Sequence, residues 1–156
     1  MPTSIIDGSI EAADLKRSKG GASIFRSITF QQADGGSRTI RNAVVKDNVA
    51  AELVPGARGR FYLYNAFDLK GVHGVRTAGG HDVYGFAGNN QKIFLILGIF
   101  NLLWIAFTIA VRGGIPLLGA ALFILSVVGY IFMSKGQREA QEQFDGDAGY
   151  RPLPPA

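Results

Sequence analysis

Arg58, Arg60, Tyr62 and Tyr64 alternate along one short run, and they carry the strongest chemical signal in the chain. Residues at period two project from one face of a strand. Interleaved basic and aromatic side chains on such a face stack bases and hold phosphates. They also mark protein interfaces, where Tyr and Arg are both enriched, although an ordinary solvated strand face has the same composition. The net charge of +4 is too small to argue for nucleic acid. Of the specific ligands, a protein partner is therefore the favoured one for these four residues.

The remaining candidates for chemistry are weaker. His73 and His81 lie eight positions apart with Asp82 beside the second; a metal site needs three or four ligands, and a surface position on successive strands is the better reading. There is no cysteine, which excludes thiolate catalysis, disulfides and cysteine-ligated metals. No GxSxG, HExxH or phosphate-binding glycine loop is present. The Gly71-Val-His-Gly74 segment opens no helix and so is no dinucleotide fingerprint. The carboxylates are scattered through loops rather than paired in an apolar setting. The expectation is a non-enzymatic protein with no metal, cofactor or small-molecule substrate.

A β-rich domain over residues 1–88 must position these side chains. Residues 24–30 alternate in polarity, the turn segment Ala33-Asp34-Gly35-Gly36 follows, and residues 39–45 form the next run. Residues 50–53 read as a short helical turn before Pro55-Gly56. In residues 57–64, Phe61 and Leu63 face opposite to the Arg/Tyr set. Residues 71–77 and 81–86 complete the set around Ala78-Gly79-Gly80. Five or six strands, each under ten residues, predict a small barrel of OB-like or SH3-like type. Residues 16–21 read as an exposed basic loop, whose Lys16, Arg17 and Lys19 suit contact with lipid headgroups.

Behind the barrel come two uncharged apolar segments, residues 93–111 and 115–134, reached through a linker at 89–92. About 20 helical residues cross a ~30 Å hydrocarbon core. Only Arg112, Gly113 and Gly114 separate the segments, and Pro116 suits the first turn of a helix. They predict a tight transmembrane hairpin. Lys92, Lys135 and Arg138 flank it on one side against Arg112 at the tip, which places both termini in the cytoplasm. In a bacterial host the membrane is the inner membrane. The first 14 residues show no signal peptide, in keeping with that side. Gly98, Asn101, Ile105 and Thr108 share one face of the first helix, and Gly119, Ser126 and Gly129 share one of the second. Small and hydroxyl residues let membrane helices approach closely. Trp104 lies mid-span, Tyr130 suits an interfacial anchor, and neither span holds an ionisable residue, which argues against an ion pathway. The tail at 135–156 is expected to begin helical and end disordered in a proline-rich stretch.

The fold class expected is thus an α+β membrane protein, a small N-terminal barrel followed by a two-helix hairpin. In outline it resembles small bacterial membrane proteins that couple an OB-type barrel to a short membrane segment, such as the NfeD-like proteins, in which the helices precede the barrel. No motif residue corresponds, so the resemblance implies no function. The leading expectation is an accessory subunit or adaptor. It would dock on a larger membrane complex through the hairpin and hold a cytoplasmic partner on the barrel. The alternatives are a homo-oligomeric scaffold or pore and a toxin-immunity or regulatory membrane protein.

Overall fold

The computed structural model describes residues 3–66, 69–88 and 90–151. The chain forms two compact units: Met1–Gly88 with Arg138–Ala156, and Asn89–Gln137.

The first unit is a closed barrel. Its strands are β1 (Thr3–Lys19), β2 (Ala22–Gln32), β3 (Ser37–Lys46), β4 (Arg58–Ala66), β5 (Leu69–Thr77) and the short β6 (Asp82–Tyr84), with a helical turn α1 (Asp47–Ala50) between β3 and β4. β1 pairs with β4 through its first half and with β2 through its second. β2 pairs with β3, β4 with β5, and a parallel bridge from Ala43 to Lys70 joins β3 to β5 and closes the ring. β6 adds to the outer edge of β5. Of the two expected barrel types, this strand order is the OB connectivity.

Three strands are longer than the sequence pattern suggested, with 17, 11 and 10 residues in β1, β2 and β3. Bulges hide this length from a period-two reading. A register shift between Ile10 and Ala12 changes the parity of β1, so Ile6, Ile10 and Ala13 all reach the same core. Residues 16–19, expected in a loop, continue β1 to a two-residue turn. Gly20 and Gly21 take φ of 66° and 80° there, and that geometry keeps the flanking residues Lys19 and Ala22 paired. Ile28, Phe30, Val45, Phe61, Leu63, Val72 and Val75 fill the interior, and Val49 of α1 plugs it. The Phe30 and Phe61 rings meet at 5.1 Å.

The second unit is built on α2 (Gln91–Arg112) and α3 (Leu117–Gly146), the last nine residues of α3 belonging to the barrel unit. Both helices are long and apolar enough to cross a membrane. Gly113, at φ 71°, ends α2 with its N–H on the Ile109 carbonyl at 2.9 Å. Burial here is inverted relative to a water-soluble helix. The buried residue of α2 is Asn101, while Leu103 and Phe107 are 65% and 67% exposed.

Candidate functional site

The site lies on the outer face of β4 and β5, and strand register builds it in rows. The first row runs Asp7, Arg60, Arg76, Asp82 across β1, β4, β5 and β6. Two arginines directly opposite each other repel unless anions surround them. Asp7 accepts from Arg60 Nε at 2.6 Å and from Nη2 at 2.8 Å, a bidentate pair. Asp82 pairs with Arg76 Nη1. Each guanidinium keeps one further donor for the end of α3. Arg60 Nη1 donates to Asp147 Oδ2 at 2.9 Å, and Arg76 Nη2 donates to the Phe144 carbonyl at 2.8 Å. That carbonyl is among the last four of the helix, which lack an intrahelical partner and carry the negative end of its dipole. Arg76 also lies 4.2 Å above the Phe144 ring, and Arg60 lies 3.8 Å above Tyr150.

The second row is Ile5, Tyr62, Gly74, Tyr84. Gly74 leaves a gap between two tyrosines, and Phe144 fills it. The ring packs edge-on against Tyr62 at 5.1 Å and tilted against Tyr84 at 5.4 Å. A Cβ at position 74 would stand 2.5 Å from Phe144 Cδ2, so no larger residue fits while Phe144 is seated. Beyond this row, Tyr64 packs with Phe86 and Ala140 in a second small core. Its hydroxyl donates to the Val44 carbonyl at 2.7 Å, across the seam between β3 and β5.

His73 sits on a bulge. Tyr62 pairs with Gly74 and Leu63 with Val72, leaving His73 as the extra residue. The bulge sends Val72 and Val75 inward together and turns the imidazole outward beneath α3. Its Nε2–H donates to Gln143 Oε1 at 3.1 Å, and Nδ1 is buried without a hydrogen-bond partner.

The electrostatics follow from the packing. Burial lowers the His73 pKa to about 4, keeping the ring neutral. Burial, reinforced by Asp147, pushes the Tyr62 hydroxyl up to about 12, and burial pushes Tyr84 up to about 12. Partial desolvation resists ionisation of Asp147, but hydrogen bonds from Arg60 and Tyr62 overcome it and hold the carboxyl below its ordinary value. The hydrogen bond to Asp7 raises Arg60 further. The arrangement is a charge-matched cradle for a helix end.

The four residues expected to form a partner-binding face are not equally accessible. Arg58 is exposed and Arg60 half-buried, but Tyr62 and Tyr64 are buried under the chain's own α3. His73 is likewise buried rather than on the surface, whereas His81 is exposed, its Nδ1 lying 3.6 Å from Glu52 Oε1. Among the described residues no three His, Asp or Glu side chains converge as a metal site. Lys16, Arg17 and Lys19 are exposed at the end of β1, with Arg26 and Arg41 exposed on β2 and β3. The rings of β2, Phe25 and Phe30, point into the core, so this basic face has no stacking platform from them.

In the helical unit Gly98, Gly119, Ser126 and Gly129, among the expected packing residues, lie at contacts between the two helices. A Cβ at Gly98 would stand 3.6 Å from Ser126, one at Gly119 would stand 3.3 Å from Ile105, and Gly129 abuts the Phe94 ring. Asn101, Thr108 and Ser126 each donate to the carbonyl four residues back, on Leu97, Trp104 and Leu122, at 2.7–2.9 Å. Lys92 and Lys135 are exposed, as is Arg138 in the barrel unit. The expected proline-rich end falls mostly on residues 152–156, outside the described residues; Tyr150, at its start, is half-buried.

Sequence reasoning did not assign Asp7, Gly74, Arg76, Asp82 or Tyr84 to this face, nor Gln143, Phe144 or Asp147. A signal existed: Ala140, Gln143, Phe144 and Asp147 fall at i, i+3, i+4 and i+7, one stripe of a helix. No family model matches the chain, and neither a curated protein nor a solved structure matches it.

Proposed function

We propose that this chain is a non-enzymatic, membrane-anchored accessory subunit or adaptor, whose hairpin docks on a larger membrane complex and whose barrel holds a cytoplasmic partner. The observation that carries the anchor is the inverted burial of α2 and α3: Leu, Ile and Phe cover the outside while Asn101 and Ser126 are buried. Each of those two polar groups is satisfied by its own helix, as a hydrocarbon environment requires. Lys92, Lys135 and Arg138 against Arg112 support cytoplasmic termini. The exposed Lys16, Arg17 and Lys19, with Arg26 and Arg41, support contact with anionic headgroups or acidic partners rather than base stacking.

The anchor is tested by fractionation, in which the chain stays in the membrane pellet after an alkaline carbonate wash; release into the supernatant rejects it. Because the chain has no cysteine, single cysteines at Gly79 and Gly114 report sidedness cleanly. Labelling of position 79 from the cytoplasm and of 114 from outside supports the topology, and the reverse overturns it. A native-membrane pull-down tests the adaptor role, with a stoichiometric partner expected and recovery of the chain alone counting against it. A pore or scaffold sealed through Gly119, Ser126 and Gly129 has less support, since these residues already pack within the hairpin.

A further inference from the structure

We propose that the outer β4–β5–β6 face is a helix-reading groove, occupied in cis by residues 140–147, and that the partner it fits is a helix carrying a small residue, Gln, an aromatic ring and Asp at i, i+3, i+4 and i+7. The inference rests on the adaptor reading and names its binding surface.

Three features make the face selective. The gap above Gly74, walled by Tyr62 and Tyr84, has the depth of one aromatic ring. The buried His73 Nε2–H needs an acceptor, and Gln143 supplies one without introducing a buried charge. The Arg60–Arg76 pair reads polarity as well as charge. Arg76 takes a last-turn carbonyl and Arg60 takes a carboxylate one residue past the helix, so a helix must present its C-terminal end there.

The groove is also complete without its occupant. The barrel closes through β1–β5 alone, and the segment adds no strand to it. The segment is held by side-chain contacts and one main-chain carbonyl, while Gln141, Glu142 and Asp145 face solvent. A ligand tethered on the same chain competes through its effective concentration, so weakening its contacts opens the face to a helix supplied in trans.

The test uses the full chain in lipid nanodiscs and a fluorescent peptide of residues 137–151 as probe. Anisotropy titrations compare wild type with a Phe144→Ala/Asp147→Asn double variant. The double variant binds the peptide at least about tenfold more tightly than wild type. Adding Gly74→Leu to it abolishes binding, and a peptide lacking the Phe does not bind. Asp147→Asn alone, which removes no packing, shows a smaller gain of about threefold, so the test survives if the double variant fails to fold. Equal binding to wild type and Asp147→Asn, or no saturable binding to either vacated variant, overturns the proposal. A peptide failure with a stoichiometric partner still recovered in the native-membrane pull-down rejects the groove alone. Peptide binding with no partner recovered rejects the adaptor reading alone.

Discussion

The barrel and the hairpin sort their residues by opposite rules. In the barrel, Ile28, Phe30, Phe61, Val72 and Val75 are fully buried and the cations Arg26 and Arg41 face outward. In the hairpin, Leu103, Phe107 and Ile124 face outward and Asn101 and Ser126 are buried. Main-chain polar groups are paired by strand ladders in the barrel and by intrahelical bonds in the hairpin. Burial in the barrel is driven by exclusion from water; under the proposed membrane anchoring, a lipid-facing helix gains nothing by hiding leucine.

The comparison predicts asymmetric responses to mutation. Phe61→Ala, in the barrel interior, should cost about 3–5 kcal/mol in chemical denaturation. Phe107→Ala, on the exposed side of α2, should leave that transition within about 0.5 kcal/mol. Next in size, Leu103→Asp should impair membrane insertion by roughly 3 kcal/mol in a reporter assay, although Leu103 is 65% exposed. Improved solubility with no insertion defect would break the comparison. A third test uses pH. His73 is neutral when folded, with its pKa lowered from 6.5 to about 4. The unfolded chain binds the proton first, so its stabilising contribution is present above pH 6.5, declines below it, and is lost by about pH 4. The full loss is roughly 3 kcal/mol. His73→Gln should flatten this slope in denaturation midpoints between pH 7 and pH 4. Asp147, held below its ordinary value, adds a loss of tail docking at still lower pH, seen as faster proteolysis after Arg138. Smallest of all, Asn101→Leu should shift hairpin stability by about 0.5–1 kcal/mol, read by steric trapping or thermal unfolding in detergent.

The legibility of the two units differs for the same physical reason. The hairpin announces itself because hydropathy is a local sum, and residues 93–111 and 115–134 needed no knowledge of any partner. The barrel was legible as strands and turns, and Phe61 and Leu63 were correctly set opposite Tyr62 and Tyr64. What covers those tyrosines was not legible, because Phe144 is some 80 residues away in a segment that reads as acidic and solvated. His73 faces outward as a surface residue would, but the end of α3 covers it, and Gln143, its partner, lies 70 positions away in the chain. Gly74 was placed within the 71–77 strand run, and it is a hole for a ring.

That hole also has a history in time. The strands that frame it are finished at Tyr84, and Gln143 follows about 60 residues later. At ~5–20 residues per second, translation takes about 3–12 s to cover that interval. For those seconds every newborn barrel holds two neighbouring guanidiniums with only their flanking aspartates for company. A chain already completed nearby carries the segment that answers them. The same gap that makes the contact selective therefore makes crowded polysomes the place where two copies could exchange tails.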